Sequence, residues 1–355
     1  MDWFLAILAL GFLIIVHEAG HYVVARLCGM HVERFSIGFG PAIKGLKWRS
    51  RSGTQFQLAP IPFGGFVEIR GMNIVEEVDP DDKTAYPNRP AWQRFLTIFA
   101  GPATNYLSAI LLVFGLYTCH GVRSAERWYG VVDVMPGYDA AGKLEPGDRI
   151  LALDGKELLA NGPGPGLSEQ VAAKQGAPVT LTVRRDGEVL DVTITPKPYV
   201  HWLDGDEDTP SYLLGITRNI QHDVVDIGVL DAAKRAVVYP VDQTERIAKG
   251  LYGIVKGTEE ADPGGPKRIV EEFKSAFEYS LVAGIELLAV LSVYLGLFNL
   301  FPLPALDGGR LVFLIYEMVT RRRANPKIEA MVHMGGIMVL GVVMILVTLR
   351  DFHLI

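Results

Sequence analysis

Four stretches of this chain are long and apolar enough to dissolve in hydrocarbon, and no other feature constrains the fold as strongly: residues 3–27, 95–119, 281–302 and 331–349. A helix needs about 20 residues to cross a bilayer. Lipid offers backbone amides no partner, so each stretch must close its own hydrogen bonds as a helix. The second and fourth hold no charged residue. The first opens Met1-Asp2-Trp3 without the cationic start of a cleaved leader, so it is expected to stay as a span.

Orientation follows from the flanking cations. The 28–90 loop is rich in Lys and Arg, from Arg34 to Arg89, and the third connection carries Arg310, Arg321, Arg322, Arg323 and Lys327. Both loops are therefore expected in the cytoplasm, with the two termini and the 120–280 region on the other side. With 49% hydrophobic residues, a net charge of only −6 and no basic stripe, the chain is not expected to bind nucleic acid. Its two cysteines, Cys28 and Cys119, are too few for a disulfide framework or a cysteine metal site.

Between the spans the chain alternates polar and apolar residues at 35–37 and 55–69, with glycine and proline punctuation, which predicts a small β-sheet within 31–70. Residues 129–197 predict a compact β-rich domain containing strands at 131–135 and 149–153. A helix follows at 167–174, then a hairpin at 179–195 turning on Asp186-Gly187. Apolar spacing between 221 and 257 predicts an amphipathic helix, read as lying on the membrane surface. The run 262–266 should break the chain before the third span. This sets expected boundaries: a first half of a membrane core at 1–119, an inserted domain at 120–200, a linker at 201–280 and the second half of the core at 281–355.

The chemistry is carried by His17-Glu18-Ala19-Gly20-His21, an H-E-x-x-H sequence inside the first span. On a helix, positions i and i+4 share a face, so both histidines can offer a ring nitrogen to one zinc ion while Glu18 reaches a reacting water. A carboxylate mid-span costs about 2.5–3.5 kcal/mol on insertion scales, so Glu18 among Ile14, Ile15, Val16 and Val23 implies a role. Catalytic zinc takes three protein ligands, and Asp307, where Pro302 and Pro304 break the third span, is the candidate third. The expected topology brings His17, His21 and Asp307 to the same half of the bilayer. The competing reading of Asp307 is an interfacial cap on a helix over 308–320. Asn105 within the second span reads as an interhelical hydrogen-bonding residue and Glu286 as lying near the outer interface. His333 in the fourth span could supply a fourth ligand, but reads first as a core or interfacial histidine.

These residues together resemble the bacterial site-2 proteases of the regulator-of-sigma-E protease type. Besides H-E-x-x-H, the likeness rests on Asn299-Leu300-Phe301-Pro302-Leu303-Pro304-Ala305-Leu306-Asp307-Gly308, on Phe35-Ser36-Ile37-Gly38-Phe39-Gly40 and on Gly101-Pro102-Ala103-Thr104-Asn105. A segment from Val134 to Ile150 adds a likeness to the first half of a PDZ domain. The resemblance implies a polytopic α-helical membrane protein with four transmembrane helices, a small membrane-associated β-sheet and an inserted PDZ-like α+β domain. It further implies Zn2+ on His17, His21 and Asp307, Glu18 as general base, and Asn299 holding the substrate backbone. The implied substrates are pre-trimmed membrane proteins with a single transmembrane segment, such as anti-sigma factors or remnant signal peptides. The implied location is a bacterial inner membrane, with the active site toward the cytoplasm. The chain departs from the resemblance at Gly265-Pro266-Lys267-Arg268-Ile269, where relatives commonly have G-P-x-G-I. Two other classes compete: a metal transporter, since intramembrane His, Glu and Asp also line ion paths, and a catalytically inactive PDZ-bearing scaffold.

Overall fold

The computed structural model describes residues 2–73, 76–162, 164–199, 211–258 and 264–351, which fall into two compact units: 1–119 with 228–355, and 120–227.

In the first unit, helices α1 (Asp2–Leu27) and α2 (Ala91–His120) flank a four-stranded sheet of β1 (Val32–Phe39), β2 (Lys47–Arg49), β3 (Gln55–Leu58) and β4 (Ile61–Ile69). The strand order β2-β3-β1-β4 leaves one edge of β4 without a partner strand among the described residues. β4 pairs antiparallel with β1, Val67 opposite Phe35 and Gly65 opposite Ile37. A Cβ on Gly65 would press on Ile14 and Glu18 of α1, so the glycine permits the strand to lie against the span.

Among the described residues, four of the unit's helices are long and apolar enough to cross a membrane: residues Phe4–Leu27 of α1, α2, a third over Leu281–Leu300 and a fourth over Lys327–Asp351. These coincide with the expected spans. The third helix stops at Leu300 rather than 302 because Phe301 is extended ahead of Pro302, as a residue before proline must be.

Two helices precede that span. α4 (Val229–Lys256) is amphipathic and sets Ala236, Tyr239, Ile247 and Leu251 against α2 and α6 (Leu281–Leu300), with the Tyr106 hydroxyl 3.0 Å from that of Thr244. Its apolar face thus meets two spans. α5 (Pro266–Tyr279) buries Phe273 fully, against Ala6, Ala9 and Leu13 of α1. Of the expected break at 262–266, residues 262 and 263 lie outside the described residues, as do 201–210 of the expected linker. After α6, α7 (Asp307–Thr320) and α8 (Pro326–Asp351) complete the unit. A partly buried ion pair between Arg94 of α2 and Glu317 ties α7 in place. Ser108 and Ser292 hydroxyls, 2.6 Å apart, join α2 to α6.

The second unit is α+β. β5 (Val122–Val134), β6 (Arg149–Leu153), β8 (Val179–Arg185), β9 (Glu188–Ile194) and β12 (Ile216–Val225) form a sheet of order β12-β5-β6-β8-β9, with β7 (Lys156–Glu157) beside β6. Helix α3 (Leu167–Ala173) covers a core that includes Val131, Ile150, Val171, Leu181 and Ile194. β10 (Lys197–Tyr199) pairs with β11 (Ser211–Leu213). The β8–β9 hairpin turns on Asp186 and Gly187, both at positive φ (49° and 90°), the twist that a two-residue hairpin turn requires. The unit runs to 227 rather than the expected 200, because β12 pairs along β5. Hence 221–225, expected within a helix, is strand. Burial pushes the Asp148 carboxyl up, but two hydrogen bonds of 2.7 Å from Arg185 and one from the Glu145 amide outweigh it and hold the group below the usual carboxylate range.

Candidate metal centre

His17 and His21 lie one helical turn apart on the face of α1 that meets α2, with their rings edge to face and centroids 4.9 Å apart. The helices can approach because Gly20 of α1 lies against the Ala100 carbonyl and Thr104, while Gly101 of α2 lies beneath both imidazoles. The Thr104 hydroxyl donates to the Val16 carbonyl at 2.9 Å, fixing the crossing.

Asp307 arrives from the other side. The 301–306 segment is bent by Pro302 and Pro304, and Ala305 adopts a φ of 77°, a left-handed conformation that L-residues occupy only under constraint. The bend delivers Asp307 in the first turn of α7. The N-cap is Leu306 and makes no side-chain cap bond, so Asp307 does not serve as the cap weighed above. Instead its Oδ2 lies 3.2 Å from His17 Nε2 and 3.3 Å from His21 Nε2.

The donor set fits a zinc ion on the local chemistry. His21 Nδ1 lies 2.8 Å from the Thr97 carbonyl, which can only accept, so the proton of the neutral ring sits on Nδ1 and Nε2 keeps its lone pair. Asp307 Oδ2 is buried without a hydrogen bond among the described residues. Two imidazole nitrogens and a carboxylate oxygen therefore converge within 4.8 Å, and a cation relieves that crowding of lone pairs.

Asn105 stands next to this group. Its side-chain amide nitrogen is placed 3.1 Å from His17 Nδ1, and its oxygen is buried and unpaired among the described residues. Rotating the amide end over end, which leaves its shape unchanged, lets the oxygen accept from Nδ1–H and frees His17 Nε2 to bind metal. Sequence reasoning anticipated an interhelical bond for Asn105 but not that its partner is a histidine of the motif.

Glu18 faces the backbone amide of Val67 on the open edge of β4. With His17, His21, Asp307, Asn299 and Gly65–Val67 it lines a cavity of about 250 Å³. His17, Glu18, His21, Asn299 and Asp307, the residues expected to carry the chemistry, thus border one space. His333 does not join the metal-binding atoms: its Nδ1 accepts from the Ala305 N–H at 3.2 Å. The contributions of β4 and of the Thr97 carbonyl carried no separate sequence signal, since both are backbone.

Comparison with known proteins agrees with this chemistry. The profile of Peptidase family M50 matches residues 5–343. A protein from Brucella suis biovar 1, named as a candidate zinc metalloprotease, is 33% identical over 86% of this chain and 83% of its own length. One of the same designation from Mesorhizobium japonicum is 31% identical, covering 92% and 91%. Another from Rickettsia conorii is 30% identical over 96% of each.

Proposed function

The chain belongs to peptidase family M50, and from that premise we propose that it is a zinc metalloendopeptidase cutting single-span membrane proteins within the bilayer. The observation that carries the reading is the meeting of His17, His21 and Asp307 beside Glu18, at the level of apolar helices.

His17, His21 and Asp307 would hold the metal. When bound, zinc supplies Lewis-acid polarisation of the scissile carbonyl and of the attacking water. Glu18, which is not among the three converging metal-binding residues, is left as the base that takes the water's proton and passes it to the departing amine. Asn299 and the open edge of β4 hold the substrate backbone in extended form. That hold is needed because a helical peptide bond has its carbonyl engaged and its faces shielded. The groups freed by unwinding each cost several kcal/mol in lipid unless they are re-paired.

The 120–227 unit is read as a PDZ-like module. Its groove of about 120 Å³ between α3 and the 212–216 backbone, lined by Leu167, Val171 and Ile216, suits an extended segment or chain end. Such a module selects substrates that have already been trimmed.

One panel of substrates tests both ideas. Single-span proteins with Gly or Pro beside the cut should be cleaved about 10-fold faster than all-Leu counterparts, reflecting a helix-breaking difference of roughly 1–3 kcal/mol. Equal rates in liposomes would sink unwinding as the controlling step. With the 120–227 unit deleted, trimmed substrates should still be cut, while discrimination against full-length ones is lost; unchanged discrimination would remove the selecting role.

The proposed setting is a bacterial inner membrane, with both termini and the 120–227 unit outside and the metal site toward the cytoplasm. Cys28 follows α1 and is half-buried, while Cys119 is exposed at the far end of α2. An impermeant thiol reagent applied from outside should therefore label Cys119 and spare Cys28. Labelling of Cys28 alone would invert the topology.

A further inference from the structure

His333 is only 9% exposed, although it sits in α8, whose apolar surface is otherwise largely open. Its ring is held from one side. The Ala305 N–H donates to Nδ1, and a nitrogen that accepts cannot carry the proton, so the neutral ring carries it on Nε2. Nε2 is buried and has no hydrogen-bond partner among the described residues. A buried donor left in this way costs about 1–3 kcal/mol. A partner arriving from outside would recover that energy.

The ring borders two spaces. One, of about 80 Å³, is lined by Arg94, Arg310 and Arg323 together with Glu317 and Glu329, and is too small to take a polypeptide segment. The other is an open groove of about 360 Å³ walled by Phe66, Val67, Ile69 and Met72 on one side and by Met334 and Ile337 of α8 on the other, with Glu68 and Arg310 also in its lining. The first four of these also line the cavity at the metal site. Cavity and groove are thus one trough along the open edge of β4.

We propose that His333 Nε2–H donates to a backbone carbonyl of the substrate where its extended segment leaves the metal cavity along β4, making His333 a substrate-positioning residue. This rests on the peptidase reading above. The walls of the trough are mostly apolar, so a backbone carbonyl, present whatever the sequence, is the acceptor that a polypeptide always brings there.

Two substitutions separate this role from a structural one. Asn in place of His333 sets its Oδ1 where Nδ1 stood and still accepts from Ala305, but has nothing at Nε2. Gln places an amide N–H near the Nε2 position. The measurement is the affinity of a fluorescent single-span peptide in micelles for full-length, zinc-loaded Glu18→Gln enzyme, with and without His333→Asn or His333→Gln, together with zinc content. His333→Asn should weaken binding about 10-fold and His333→Gln less than about 3-fold, as expected for one hydrogen bond, with zinc unchanged in both. Unweakened binding by the Asn variant, Gln binding as poorly as Asn, or a loss of zinc that accounts for the weakening would each overturn the proposal. Cleavage by the parent enzyme is assayed separately. Its absence would remove the peptidase reading, while the affinities still decide the role of His333.

Discussion

Glu18→Gln is expected to reduce peptide-bond cleavage by about 10²–10⁴-fold, the usual contribution of a positioned base, while zinc remains at about one per chain. The amide has the shape of the carboxylate and keeps its place beside Val67. It cannot take a proton at neutral pH. The metal-facing atoms belong to His17, His21 and Asp307, so the substitution leaves them unchanged. His17→Ala, His21→Ala and Asp307→Ala should instead lower metal content along with activity, because each removes one of the three converging atoms. Metal analysis alongside a cleavage assay separates the two groups. If Glu18→Gln lost zinc as the alanine variants do, the carboxylate would be a ligand and the base would have to be sought elsewhere.

The residues that meet at this point were legible in the sequence because their motifs are local. H-E-x-x-H specifies a helix face by itself, and Pro302, Pro304 and Gly308-Gly309 announce a bend that can aim Asp307 inward. The four spans were readable for the same reason, hydropathy being a local property. Pairings between distant segments were not. β12 lies beside β5 although about 90 residues separate them in the chain, and nothing in 216–225 distinguishes a strand seeking that partner from the start of a helix. α5 carried the signal, with Ile269, Val270, Phe273 and Phe277 at helical spacing, but the break just ahead of it drew the segment into a linker. Asn105 and Thr97 contribute through contacts with histidines on another helix. The polarity of Asn105 was visible in the sequence and the Thr97 carbonyl, being backbone, was not, while the partners of both depend on how α1 crosses α2.

That crossing yields the second large effect: Gly101→Val should lower zinc affinity by at least about 10–100-fold, the range seen when groups supporting metal ligands are disturbed, and abolish activity with it. A Cβ at Gly101 would clash with His21 Nε2 and His17 Cε1, and His21 Nε2 is one of the converging metal-binding atoms. Neither ring can step aside cheaply. His21 is held by the Thr97 carbonyl and His17 by Asn105, and moving α1 away would break the bond from Thr104 to the Val16 carbonyl. Gly115 provides the matched control on the same helix, since a Cβ there would meet nothing within 4 Å. Gly115→Val should therefore keep both metal and activity, and circular dichroism should find all three proteins equally helical. If Gly101→Val bound zinc as tightly as Gly115→Val, the metal would not sit between the two histidines and Asp307, and the proposed centre would fall even though the helices pack as described.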